Sequence, residues 1–207
     1  MSAAIVLHYI DADVLVSEKP AGLLSVPGRA VENQDCLTTR LQALYPDALT
    51  VHRLDQATSG LMVHARGKAM QAALSAQFRQ RRVGKRYEAL VQGVVSGESG
   101  EIDLPLLCDW PNRPRQKVDR EHGKPALTRW RVLARDAAAQ CSRVELEPVT
   151  GRSHQLRVHL ASLGYPIVGD ALYGARPAPR LCLHARWLAF AHPRSGAALE
   201  FVSPCPF

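Results

Sequence analysis

Val51-His52-Arg53-Leu54-Asp55-Gln56-Ala57-Thr58-Ser59-Gly60 sets a carboxylate immediately after a basic, turn-like stretch. Thr58, Ser59 and Gly60 then lead into the apolar run Leu61-Met62-Val63. A side chain on a loop that runs into a strand has rigid neighbours, and folds aim functional groups in this way. An Asp can equally cap a turn through its own backbone. These residues alone allow both readings, and the surrounding chain has to decide.

Upstream, Ala3 to Leu7 is an apolar run of strand length with no basic residue before it. That is far short of a signal peptide or a membrane span. Asp13 to Pro20 reads as a strand stopped by proline, and Gly22 to Gly28 as a loop with turn residues at both ends. Leucines at 37, 41 and 44 predict a helix over Thr38 to Tyr45, ended by Pro46.

Downstream, Gly60 to Ala65 is a strand. Lys68 to Arg82 is the clearest helix, with Ala69, Ala73, Ala76, Leu74 and Phe78 near the helical period and Gly84 as its stop. Arg79, Arg81 and Arg82 in its last turn suit the negative end of the helix dipole. Lys85 to Val95 is a strand. Thr128, Trp130 and Val132 alternate with Arg129 and Arg131, and Val144 and Leu146 with Glu145 and Glu147, the period of half-buried antiparallel strands. Ser153 is placed to cap a helix running to Leu163, which Gly164 and Pro166 end. Leu181 to Ala191 and Ala198 to Val202 complete the strands. Strands outnumber helices and no regular βαβ alternation appears, so the predicted class is α+β with a largely antiparallel sheet.

The 207 residues suit a single domain with a real core, and 46% hydrophobic with 22% charged residues describes a folded chain rather than a disordered one. A net charge of +7 favours polyanionic partners, nucleic acid before acidic membrane. Five cysteines, with no Cys-x-x-Cys pair, argue against a disulfide framework and a zinc ribbon, and suit reduced thiols in a cytoplasmic protein.

Four segments carry polar chemistry: His52-Arg53-Leu54-Asp55, Lys85-Arg86-Tyr87-Glu88-Ala89-Leu90-Val91, Thr150-Gly151-Arg152-Ser153-His154-Gln155-Leu156-Arg157-Val158-His159 and Leu183-His184-Ala185. Each has a plain account: Tyr87 as a strand aromatic, Arg157 as a solvated helix charge. His154 and His159 face different sides of a helix, so they do not make a zinc pair, and no metal is expected. No Gly-x-Ser-x-Gly elbow, Walker loop or dinucleotide loop occurs. A glycoside hydrolase would want a second carboxylate in comparable context. An RNA-binding protein without catalysis would have no need of an aimed acid.

Taken together, His-Arg-Leu-Asp-x-x-Thr-Ser-Gly at 52–60, Lys-x-Tyr-x-Ala-Leu-Val at 85–91, Gly-Arg-x-His-Gln-Leu-Arg-Val-His at 151–159, Leu183-His184-Ala185 and His192-Pro193 resemble the RluA family of RNA pseudouridine synthases. The likeness runs through nearly the whole chain in the family's order. Gly22 to Arg29, Cys108 to Pro114 and Gln116-Lys117-Val118 resemble its short members, which lack an N-terminal S4-like RNA-binding domain.

The resemblance implies the pseudouridine synthase fold, with a mixed, largely antiparallel central sheet and flanking helices and loops around a catalytic cleft, as one catalytic domain over 1–207. It implies isomerisation of uridine in loops of 23S rRNA and of the tRNA anticodon arm, by a cytoplasmic monomer that needs no cofactor and binds no membrane. Asp55 is then the catalytic carboxylate. It could attack the sugar carbon, add to the pyrimidine ring or remove a sugar proton. By the same likeness Arg157 pairs with Asp55, Tyr87 packs on the uracil, Arg53 enters the space vacated by a flipped base, and His52 and Leu183 complete the substrate contacts. Two basic groups would meet phosphates: Arg79, Arg81, Arg82, Lys85 and Arg86, and Arg113, Arg115, Lys117 and Arg120.

Overall fold

The computed structural model describes residues 5–207. In chain order its elements are β1 (Val6–Ile10), β2 (Val14–Lys19), α1 (Leu37–Leu44), β3 (Ala48–Thr50), β4 (Ser59–Arg66), α2 (Lys68–Arg79), β5 (Gly84–Gln92), β6 (Ser99–Asp103), β7 (Leu106–Cys108), β8 (Gln116–Val118), β9 (Leu127–Asp136), β10 (Cys141–Pro148), α3 (Gln155–Ser162), β11 (Leu183–Ala191) and β12 (Ala198–Val202). The class is α+β, as the predominance of strands and the lack of regular βαβ alternation predict. The first strand begins at Val6, so Ala3 and Ala4 of the expected run lie outside the described residues. Among the described residues no helix is long and apolar enough to cross a membrane.

The chain divides into two compact units, one of residues 1–85 and 185–204, the other of 86–184 and 205–207. In the first, β2 pairs antiparallel with β1 and β4, β3 adds to β4, and β12 pairs with β11. β4 is buried at every position but its last. Val14, Val16, Leu61, Val63, Leu74, Leu188 and Phe190 form the unit's core, which explains why Leu61-Met62-Val63 reads as a continuous apolar run rather than an alternation.

Gly60 has φ +118°, and a Cβ there would lie 2.4 Å from the carbonyl oxygen of Ala185. Only glycine permits that approach of β4 to the start of the unit's return segment. α1 opens with a capping box in which Cys36 and Thr39 exchange hydrogen bonds.

Helix α2 stops at Arg79 rather than Arg82, because Arg81 turns left-handed (φ 57°) and Val83 is drawn into the core. Gly84 is therefore not its terminator. It opens β5, where a Cβ would sit 2.5 Å from the Trp187 ring.

In the second unit β10 pairs with β5 and β9, and β9 with β6, all antiparallel. On β9, Thr128 is buried between exposed Arg129 and half-buried Leu127, as the alternation requires. β7 and β8 form a separate hairpin, whose Leu106 and Val118 pack with Ala126, Val158 of α3 and Tyr173. Helix α3 begins one residue later than a Ser153 cap would place it. His154 occupies the cap position in the left-handed region (φ 52°) without a capping side chain. The Gln155 amide oxygen instead accepts from Arg152 N (3.0 Å) and from the Thr150 hydroxyl (2.7 Å), ordering the approach to the helix.

Candidate active site

Asp55 is half-buried in the turn that precedes β4, and Thr58 N donates to its carbonyl at 3.1 Å. Both flanking residues are fastened through their main chain. Before it, the Ser25 hydroxyl donates to Leu54 O (2.7 Å) and accepts from Leu54 N (3.0 Å), so one buried oxygen satisfies both peptide groups of that residue. After it, Gln56 O accepts from Gly22 N (2.9 Å) and from the Lys19 ammonium (2.9 Å). Lys19 is fully buried and also donates to Pro20 O and Leu23 O, so three carbonyl dipoles surround its charge. The loop over 22–28 is thus the frame of the acidic turn. Its residues carry no acid–base chemistry, so reading the sequence for reactive side chains passes over Ser25.

His52 and Arg53 share this unit with Asp55. The His52 ring stacks on Phe78 at 4.6 Å, and its Nε2 accepts from Val63 N at 3.1 Å. An accepting Nε2 requires the neutral ring. Desolvation, then the proximity of His64 and Lys85, lowers its pKa to about 3. Such a placement serves the shape of the loop. Arg53 is exposed one residue before Leu54.

Tyr87, Arg157 and Leu183 belong to the second unit. Tyr87 is half-buried on β5 opposite Leu146 of β10. Arg157 is buried on α3, and its Nε and Nη2 donate side by side to the two carboxylate oxygens of Asp170, each at 2.7 Å. It is not the solvated helix charge of the plain reading. A guanidinium carries five N–H donors, and Asp170 takes two of them in the fork geometry that only arginine offers.

Asp170 was missed from sequence. It is thirteen residues from Arg157 in a turn with no local pattern, and Leu172 N and a bond from its own N–H to Ile167 O fix its orientation. The turn is tied to β5 and to the segment before Leu183 by a ring of three backbone bonds: Leu90 N to Cys182 O, Cys182 N to Val168 O and Val168 N to Leu90 O. Gly169 (φ +80°) is needed there, since a Cβ would lie 2.0 Å from Arg180 O. Tyr173, also unremarked in the sequence, has its ring 5.1 Å from the Arg157 guanidinium and its hydroxyl 2.8 Å from His154 Nδ1.

Among the described residues, three ligand-type side chains gather only at Asp11, Asp13 and His192. These are internally satisfied: Arg194 clasps both oxygens of Asp13, while Asp11 accepts from Tyr9, His192 and two backbone amides, which hold its pKa at about 2 against desolvation. That network fastens β1 and β2 to the 192–194 turn.

The mostly antiparallel α+β scaffold is that of the pseudouridine synthases, isomerases that act on RNA. The chain belongs to the family of RNA pseudouridylate synthases, whose model matches residues 13–162. It is 51% identical over 207 residues to the dual-specificity RNA pseudouridine synthase RluA of Escherichia coli, covering 98% of this chain and 94% of that protein. To the protein of the same name from Vibrio vulnificus it is 52% identical over 204 residues, covering 95% and 82%. Among solved structures, human RNA pseudouridylate synthase domain containing 1 superposes with a TM-score of 0.81 at 31% identity, covering 99% of this chain and 84% of that one. Human RNA pseudouridylate synthase domain containing 4 gives 0.79 at 27%, covering 97% and 88%.

Proposed function

We propose that this chain is a dual-specificity enzyme, converting uridine to pseudouridine in loops of both 23S rRNA and the tRNA anticodon arm. The reading takes residues 1–207 as one catalytic domain, acting as a cytoplasmic monomer. The reaction breaks the bond from C1′ to N1 and forms one from C1′ to C5. C5 gives up its proton and N1 gains one, so nothing is oxidised and no group is imported. The chain must supply one carboxylate, an enclosed place for the uracil and control of the detached base.

Asp55 is the carboxylate in this reading. The observation that carries it is the double fastening of Leu54 and Gln56, because a reacting group must be held to a fraction of an ångström. Arg157, itself oriented by Asp170, is the cationic partner that the family likeness assigns to this carboxylate. Tyr87 packs on the uracil and moves a proton in the last step, and Leu183 adds an apolar contact. Extruding the target from its stack costs a few kcal/mol, less in a loop than in a duplex. Arg53 fills the vacated space, where a planar guanidinium both stacks and donates to phosphate. His52 shapes the turn that presents these groups.

The test is to incubate stem-loop RNA with the protein and map carbodiimide-dependent stops in reverse transcription. Stops are expected with the wild type and absent with Asp55→Asn. Stops at the same positions with Asp55→Asn would remove Asp55 from the chemistry, and their absence with the wild type would remove the activity.

A further inference from the structure

The hairpin β7–β8 carries at its tip a surface that the uridine chemistry does not use. Trp110 is 67% exposed, although an indole is among the costliest side chains to leave in water. The Arg113 guanidinium lies 3.9 Å from its ring centroid, covering one face and leaving the ring's other face to solvent.

The loop that holds this pair is ordered by its own bonds: Asp109 N to Arg115 O (3.0 Å), Asn112 N to Asp109 O (2.9 Å), Arg115 N to Asn112 O (3.0 Å) and Asn112 Nδ2 to the Asp109 carboxylate (3.0 Å). The aromatic plane is therefore presented before any ligand arrives, which lowers the cost of binding on it. Of the two local acids, Asp109 is engaged by Asn112 and Asp119 by Lys117 (3.4 Å). Among the described residues neither Arg113 nor Arg115 pairs with a carboxylate.

The hairpin is also anchored. Gln116 N donates to the Tyr173 hydroxyl at 2.9 Å, Arg115 lies 5.7 Å from the Tyr173 ring, and that same ring neighbours Arg157. Leu106 and Val118 pack on Val158, the residue after Arg157. The tip is thus fixed with respect to Arg157 within its own unit.

From these observations we infer that Trp110, backed by Arg113, is a stacking platform for an unpaired base of the substrate RNA other than the target uridine. A flat π-face accepts any base, and the unpaired arginines beside it attract phosphate, the combination by which proteins hold single-stranded RNA. An unpaired base held at a fixed place relative to Arg157 makes recognition depend on the folded shape of the loop. The inference rests on the reading of the chain as an RNA-modifying enzyme, and its test separates the two.

The probe is a synthetic anticodon-arm stem-loop RNA. In an Asp55→Asn background, where turnover plays no part, adding this RNA is expected to quench tryptophan fluorescence, and Trp110→Phe in the same background should abolish most of the quench. Trp130 and Trp187 remain as the unresponsive signal. With Asp55 intact, Trp110→Ala should raise KM about tenfold, equal to ~1.4 kcal/mol, with kcat lowered less than about twofold. Trp110→Phe, which keeps a π-face, should stay within about threefold of the parent KM. Abasic nucleotides placed in turn through the loop should locate the partner: at one unpaired position the losses from the abasic site and from Trp110→Ala should fail to add. Quenching that survives Trp110→Phe, an unchanged KM in Trp110→Ala, or additivity at every loop position would each overturn the platform. Failure of Asp55→Asn to stop turnover would overturn the catalytic reading and leave the quench intact.

Discussion

Replacing Ser25 by alanine removes one oxygen and with it both hydrogen bonds to Leu54, the residue before Asp55. Ser25 and Leu54 are 3% and 5% exposed, so water does not simply take over the lost bonds. Each bond contributes about 1 kcal/mol net, and leaving a buried peptide N–H or C=O without a partner costs ~1–3 kcal/mol. The expected loss of stability is about 3 kcal/mol, which for a chain of this size lowers the melting midpoint by roughly 6–12 °C. The backbone beside Asp55 would then lose its fastening on the Leu54 side. A displacement of about 1 Å at a reacting group costs on the order of a hundredfold in rate. Single-turnover kinetics on a stem-loop RNA, run well below the lowered midpoint, should therefore show a ten- to hundredfold slower chemical step. RNA affinity should stay within about threefold, because phosphate contacts are untouched. A chemical step at the parent rate, alongside the lowered midpoint, would refute the reasoning: the clamp would then stabilise the fold without placing the carboxylate.

Among the other expected outcomes, His64→Leu should raise the melting midpoint, because among the described residues neither ring nitrogen of this fully buried residue has a hydrogen-bond partner; a lower midpoint would show the imidazole to be needed. Burial lowers the folded pKa of His64 to about 4 and that of His52 to about 3, below the unfolded value near 6.5. The unfolded chain thus takes up protons first, and the stability tied to the neutral rings is present above pH 6.5 and is lost as pH falls toward 4 and then 3. Denaturant titrations between pH 6 and 4 should show a slope of up to ~1.4 kcal/mol per pH unit for each ring, reduced in His64→Leu. Asp170→Asn leaves the buried Arg157 facing a neutral amide and should lower stability by about 3 kcal/mol together with the rate, read by melting and single-turnover assays. Arg53→Ala should slow conversion of folded stem-loop RNA and weaken its productive binding, and an unchanged rate would remove Arg53 from base replacement.

The longer strands β9 and β10 were legible from alternation, whereas the short β3, β6, β7 and β8 were not read. Thr128 to Val132 and Val144 to Glu147 alternate because a two-residue period separates core from solvent. β12 runs over the residues the sequence suggests, Ala198–Val202. Helix ends were less legible because a tertiary demand overrode a local signal. Gly84 reads as a helix stop but is small to admit Trp187, and Ser153 reads as a cap while Gln155 does the ordering. The motif segments stand out in the sequence, but the residues that support them do not. Ser25, Asp170 and Tyr173 act across 29, 13 and 57 residues on Leu54, Arg157 and Gln116, and no local periodicity records such partners.

The turn around position 55 is secured through its peptide groups, by Ser25 before it and Lys19 after it, and these bonds do not involve the side chain that reacts. Asparagine in its place is expected to yield an inert protein that keeps this turn. Such a protein would serve as bait, retaining cellular transcripts that the active form would alter and release.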